Sequence, residues 1–107
     1  MKLFNDSEIF RFDEKVSYSD GGVVSKQVMK NEKGNVTLFA FDKGEGLSEH
    51  TAPFDALIQV IEGEARIFIG GNPFDLVAGD SIIMPANISH SLKATNAFKM
   101  ILTMIRA

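Results

Sequence analysis

From Asn35 onward, apolar and polar residues alternate with a period of two, and glycine, proline, asparagine or aspartate interrupts the pattern at short intervals. NVTLFAF (Asn35–Phe41) is such a run, rich in β-branched and aromatic residues that fit a pleated surface. DKGEG (Asp42–Gly46) then reads as a turn. ALIQVIE, Gly63 and EARIFI predict strand, tight turn, strand, and Gly70-Gly71-Asn72-Pro73 predicts a second hairpin turn. FDLVAGD, SIIMP, HSLKA and FKMILTMI continue the pattern to the end of the chain. Upstream, SEIFRF (Ser7–Phe12) alternates weakly. VVSKQVMKN (Val23–Asn31) fits a strand or a short helix by periodicity, and is assigned as a strand because no segment keeps a helical period.

Many short strands with almost no helix predict an all-β domain, either a closed barrel or two packed sheets. A chain of 107 residues is expected to form one domain over residues 1–107, burying roughly 65% of its unfolded surface. Several strands, ALIQVI and FKMILTMI above all, are apolar on both parities, which is more than one barrel interior requires.

Composition removes several function classes. The apolar fraction of 45% and charged fraction of 23% are those of a folded globular domain. A net charge of -3 and a pI near 5.3 give no electrostatic drive toward nucleic acid or anionic membrane, so neither is expected as a partner. With no cysteine, disulfides, zinc–thiolate sites and thiol nucleophiles are excluded. Asp6 and Glu8 interrupt the apolar core a secretory signal would need, and no apolar run is long enough to span a bilayer, so a cytoplasmic location is expected. GEGLSE carries glycines without a lysine or a following helix and is no phosphate loop.

Two spacings stand out. Gly44 is followed by five residues and His50, then Ala52, Ala56 and Gly63; Gly79 is followed by five residues and Pro85, then Asn87, His90 and Ala94. The only two histidines of the chain occupy these frames. Both spacings resemble the paired motifs of the cupin family, small jelly-roll β-barrels, with motif one at 44–63 and motif two at 79–94. The resemblance implies a barrel in which positions 50, 52, 56 and 90 would hold a divalent metal through three histidines and a glutamate. Here Ala52 and Ala56 replace a histidine and the glutamate, Asn87 replaces a glycine, and Ala94 replaces an asparagine.

The glycines and Pro85 have a role independent of chemistry. Gly63 and Gly79 sit where a turn needs positive φ or close backbone approach, and Asn87 tolerates the left-handed region better than most residues. Two imidazoles fall short of the three protein ligands of usual catalytic zinc and non-haem iron sites. Glu49, Asp55 and Gln59 have the wrong parity to complete a set with His50. Met84, Met100 and Met104 offer thioethers suited to a soft ion, against the alternative of core filling. Asp55 with a histidine, and Tyr18 far upstream, are the only acid–base pairing in the manner of metal-free sugar epimerases.

The leading expectation is therefore a stand-alone barrel that binds a small organic molecule, without a classical metal centre, as a sensing or binding module. His50, His90, Ala52, Ala56, Phe39, Phe41, Phe54, Ile58, Met84 and Met100 are its candidate pocket. No cofactor is expected beyond a divalent metal held weakly by His50 and His90. The alternatives are a metal-dependent dioxygenase or isomerase with an atypical ligand set including His50 and His90, and an interaction protein whose interior is filled by its own side chains. A homodimer is expected, both from the doubly apolar strands and from the pairing modes that the resemblance implies.

Overall fold

Period-two alternation requires each strand to bury one face, and the chain satisfies this with two sheets laid face to face. The structure, a computed structural model, describes residues 3–107. Among these, a 3-10 turn at Phe12–Glu14 precedes nine strands: β1 (Val23–Asn31), β2 (Gly34–Phe41), β3 (Gly46–His50), β4 (Phe54–Glu62), β5 (Glu64–Ile69), β6 (Asn72–Val77), β7 (Ser81–Met84), β8 (His90–Ala94) and β9 (Phe98–Arg106). The large sheet has the order β1-β2-β9-β4-β7 and the small sheet β3-β8-β5-β6. Every pairing is antiparallel. The all-β jelly-roll expectation is met.

Between the sheets lies the main core. The large sheet contributes Phe41, Ala56, Ile58, Val60, Phe98 and Met100, and the small sheet Ala65, Ile67, Leu76, Leu92 and Ala94. Phe41 and Phe98 stack with ring centroids 4.6 Å apart and close one end of the interior. Full burial of one such ring stabilises by about 1.5–3 kcal/mol.

The turn chemistry behaves as its residues demand, with three corrections. Gly63 lies between β4 and β5 but makes no hairpin, because β4 pairs with β7 and β9 whereas β5 pairs with β6 and β8. The chain crosses from one sheet to the other at this residue. Gly63 has φ +79, and a methyl group built on it would lie inside contact distance of the Ala97 carbonyl and 2.8 Å from Phe98 Cα. The second hairpin turn is shorter than expected: only Gly70 and Gly71, with φ 57 and 84, link Ile69 to its partner Asn72. Two consecutive left-handed residues match the right-handed twist of the flanking strands. Pro73 then falls inside β6, which is tolerated because β6 is an edge strand. The expected turn at Asp42–Gly46 ends one residue early, since Gly46 opens β3.

Ser7–Phe12 forms no strand. Its aromatic residues pack on one another instead, with Phe10 centroids 5.1 Å from Phe4 and 5.0 Å from Phe12. This N-terminal segment covers part of the large sheet's outer face, where Val16, Leu38, Ala40 and Ile101 form a second core with Phe4 and Phe12 against it. Val23–Asn31 is a strand, with a register shift between Gln27 and Met29.

The segment is pinned by one polar cluster. Tyr18 donates its hydroxyl hydrogen to Glu62 Oε2, and Lys99 Nζ lies 3.6 Å from the same oxygen. Lys99 also donates to the Asp13 carbonyl at 2.9 Å and sits 5.1 Å from the Tyr18 ring centroid. Lys99 is only 8% exposed, so these contacts offset its desolvation. Burial first, then the hydrogen bond and charge of Glu62, push the Tyr18 phenol above its ordinary value of 10.0.

Two predictions follow the backbone and the cluster. Gly63→Ala combines left-handed strain with overpacking and is expected to cost about 3 kcal/mol or more. Gly71→Ala, whose added methyl meets nothing within 4 Å, is expected to cost about 1–2 kcal/mol. Urea titrations of the two variants compare them, and equal losses would remove the close-approach argument. Because the folded-state value of Tyr18 is raised, its stabilising contribution is complete below pH 10.0 and is lost as pH climbs from there toward the folded value. Wild-type unfolding midpoints should therefore fall more steeply above that pH than those of Tyr18→Phe; parallel profiles would refute the pinning role.

Candidate functional site

At the end of the interior opposite Phe41 and Phe98, the sheets enclose a cavity of about 260 Å³. Strand register explains its lining. In the large sheet, Ala56, Ile58 and Val60 of β4 stand opposite Met104, Leu102 and Met100 of β9, and Phe39 of β2 stands opposite Met100. Ala56 also pairs with Met84 of β7. Alternation turns these residues inward together. From the small sheet come Leu47 of β3 and His90, Ser91 and Leu92 of β8. The wall is almost entirely carbon.

His50 and His90 are direct cross-strand partners in the β3–β8 pairing. Residues opposite each other in an antiparallel pair project to the same face, so the two rings meet. Their centroids are 4.4 Å apart at an interplanar angle of 70°, and the two Nε2 atoms are 3.1 Å apart. One ring is oriented by its own strand and the other by the preceding loop: His50 Nδ1 lies 2.7 Å from the Ser48 carbonyl oxygen, and His90 Nδ1 lies 3.1 Å from that of Ile88. The loop before His90 is held by Asn87, at φ 63, whose amide donates to the Ala52 carbonyl at 2.9 Å.

Of the candidate pocket residues, His50, His90, Ala52, Ala56, Phe39, Phe54, Ile58, Met84 and Met100 line the cavity. Phe41 does not. It lies in the solid half of the core, stacked on Phe98 and, at 5.5 Å, on Phe39. Leu47, Ser91, Leu92, Leu102 and Met104 also line the cavity. Alternation pointed to Leu102 and Met104, since each follows Met100 at an even interval. Leu47 is placed only by the long-range pairing Leu47↔Leu92.

The residues with the wrong parity lie elsewhere. Asp55 accepts a hydrogen bond from the Ala86 amide at 3.0 Å, Glu49 is exposed, and neither lines the cavity. Tyr18 is bonded to Glu62, at the far end of β4 from the cavity residue Phe54, so no Tyr–His pair forms.

The donor set does not fit the divalent metal implied by the motif frame. Ala52 and Ala56 border the cavity without a lone pair, and the described residues contain no group of three or more His, Asp or Glu side chains able to hold a metal ion. Among the described residues, no helix is long and apolar enough to cross a membrane.

Comparison with known proteins gives a consistent result. The family model described as the cupin domain matches residues 37–106. A conserved protein of unknown function from Streptococcus pyogenes superposes with a TM-score of 0.93 at 26% identity, covering 99% of this chain and 93% of that one. A cupin superfamily protein from Desulfitobacterium hafniense has a TM-score of 0.92 at 24% identity, covering 99% and 97% of the two chains; it speaks to the fold alone. A cupin 2 conserved barrel domain protein from Leptotrichia buccalis is 39% identical with a TM-score of 0.88. That match covers 91% of this chain but only 47% of the Leptotrichia protein, so this chain spans about half its length. No curated protein matches the chain.

Returning a third imidazole tests the reading of the donor set. Ala52→His is expected to tighten Ni²⁺ binding at least about tenfold over the wild-type pair, measured by calorimetry on untagged protein. An unchanged affinity would mean that position 52 does not converge on the His50–His90 pair.

Proposed function

The chain belongs to the cupin family, and on that premise we propose that its barrel is a receptor for a small, largely apolar organic molecule. In this reading it is a binding or sensing module, and its output passes through a partner. The observation that carries the proposal is the cavity of about 260 Å³, walled by aliphatic, thioether and aromatic groups, with two convergent imidazoles at one end. Such a combination of apolar wall and few convergent polar groups is what small-molecule sites offer. Replacing a histidine and a glutamate by Ala52 and Ala56 enlarges the space and removes charge from it. The five methyl-bearing and thioether side chains Ile58, Met84, Met100, Leu102 and Met104 give the wall the adaptability of a binding surface.

The proposal extends to a homodimer through the outer face of the large sheet. One cross-strand row runs the width of that sheet: Met29, Val36, Thr103, Leu57 and Ile83, with partners in that order. The N-terminal segment leaves the ends of this row bare, with Met29 and Ile83 each 65% exposed. Ile105, one row along, is 61% exposed. Exposed apolar side chains at the ends of such a row are the kind of surface an interface covers.

Native mass spectrometry of untagged protein from cells should show a bound organic species. Ala56→Leu, which places a side chain in empty space, should keep or raise the unfolding midpoint while losing that species. Co-purification of one equivalent of metal, lost in both His50→Ala and His90→Ala, would instead favour a metal-dependent enzyme. For the dimer, sedimentation at low micromolar concentration should give twice the chain mass and Ile83→Lys the chain mass; a monomeric wild type would refute it.

A further inference from the structure

We propose that the cavity takes a planar aromatic molecule of two fused rings, seated as the next member of a stack of phenylalanine rings that ends at its wall. The inference rests on the receptor reading above and names the class of molecule the receptor binds.

Three rings line up between the sheets. Phe41 and Phe98 are cross-strand partners, and their ring centroids are 4.6 Å apart with planes 2° from parallel. Phe39 lies two residues before Phe41 on β2, so it projects to the same face. Its ring follows that of Phe41 at 5.5 Å and 18°. These are the separations and tilts of offset-stacked aromatic rings. Phe41 and Phe98 are fully buried, whereas Phe39 keeps part of its surface uncovered. Of the three, only Phe39 lines the cavity. The hollow therefore begins where the stack stops, on the side of Phe39 away from Phe41, and the next place in the stack belongs to the cavity.

The rest of the wall favours the same class. Met84, Met100 and Met104 bring three thioethers to the cavity. Sulfur beside an aromatic ring gains a contact that a saturated ring of the same size does not provide. Phe54, on β4, adds a further ring from the other side of β9. Burial of carbon surface alone does not separate an aromatic body from a saturated one of equal area. The open end of the ring stack and the three sulfurs do. Size then sets the number of rings. An apolar cavity of roughly 150 Å³ admits benzene, and this one, at about 260 Å³, has room for a second fused ring.

The test uses the untagged full chain, unfolded and refolded in urea to release any bound species, and three probes: 2-naphthol, its saturated analogue decahydro-2-naphthol, and phenol. Calorimetry should show 2-naphthol binding at least about fivefold more tightly than either of the others. Phe39→Leu, shown to be folded by its unfolding midpoint, should bring the two bicyclic probes to within about twofold of each other. Methyl spectra of the wild type need no variant. The ring current of 2-naphthol should move the Met84, Met100 and Met104 signals and leave that of Met29, 65% exposed on the outer face, in place. Equal affinity of the wild type for the two bicyclic probes would overturn the aromatic inference while leaving the receptor reading intact. Phenol binding as tightly as 2-naphthol would overturn the two-ring size, and a full preference kept in Phe39→Leu would overturn the stack as its cause. Binding of none of the three, or movement of Met29 alone, would refute both the inference and the receptor reading.

Discussion

A β-strand has two faces, and in β2, β4 and β9 both are apolar, so neither can be left to water without cost. This constraint organises the molecule. The inner faces meet the small sheet. On the outer side, the row through Leu38 and Ile101 is covered by Val16, Phe4 and Phe12 of the chain's own N-terminal segment. The row through Val36 and Leu57 is left bare at its ends. The Tyr18–Glu62–Lys99 cluster fixes where coverage stops, because a nearly buried ammonium group holds the segment at one end of the sheet.

The inner face is divided in the same spirit. Around Phe41 and Phe98 the space is filled by stacked rings and branched side chains. Toward the other end the inward positions include Ala52 and Ala56, and the space they fail to fill is the cavity. One strand, β4, therefore contributes to both: Val60 to the solid core and Ala56 to the hollow. The Phe41–Phe98 end and the turn glycines lie outside the hollow. A scaffold of this kind separates the turns from the chemistry of positions 50, 52, 56 and 90, as in a motif frame that keeps Gly44, Gly63 and Gly79 while alanine stands at two of its ligand positions.

Much of the fold is legible in the sequence. The strands from Asn35 onward, except the short polar β3, follow from alternation, and the left-handed residues at their ends from glycine and asparagine. Most of the cavity lining follows from parity, once His50 and Ala52 are taken to face inward. What fails is informative. Phe41 has the parity of Phe39, yet lies one pleat deeper, beyond the hollow; parity gives the face and not the depth. Ser7–Phe12 alternates but finds no strand to pair with, so its aromatic residues pack as a cluster on a sheet already formed.

Local sequence determined the strand periods, the positions requiring positive φ, the apolarity of both faces and the loss of two ligand side chains, since each depends on a residue and its near neighbours. Only the tertiary structure decided that the chain changes sheets at Gly63, because a tight glycine turn looks the same whether it returns a strand to its neighbour or sends it across the barrel. The same holds for the meeting of the two imidazoles. The two histidines are 40 residues apart, and it takes the β3–β8 register to set Nε2 against Nε2 while each Nδ1 faces a backbone carbonyl.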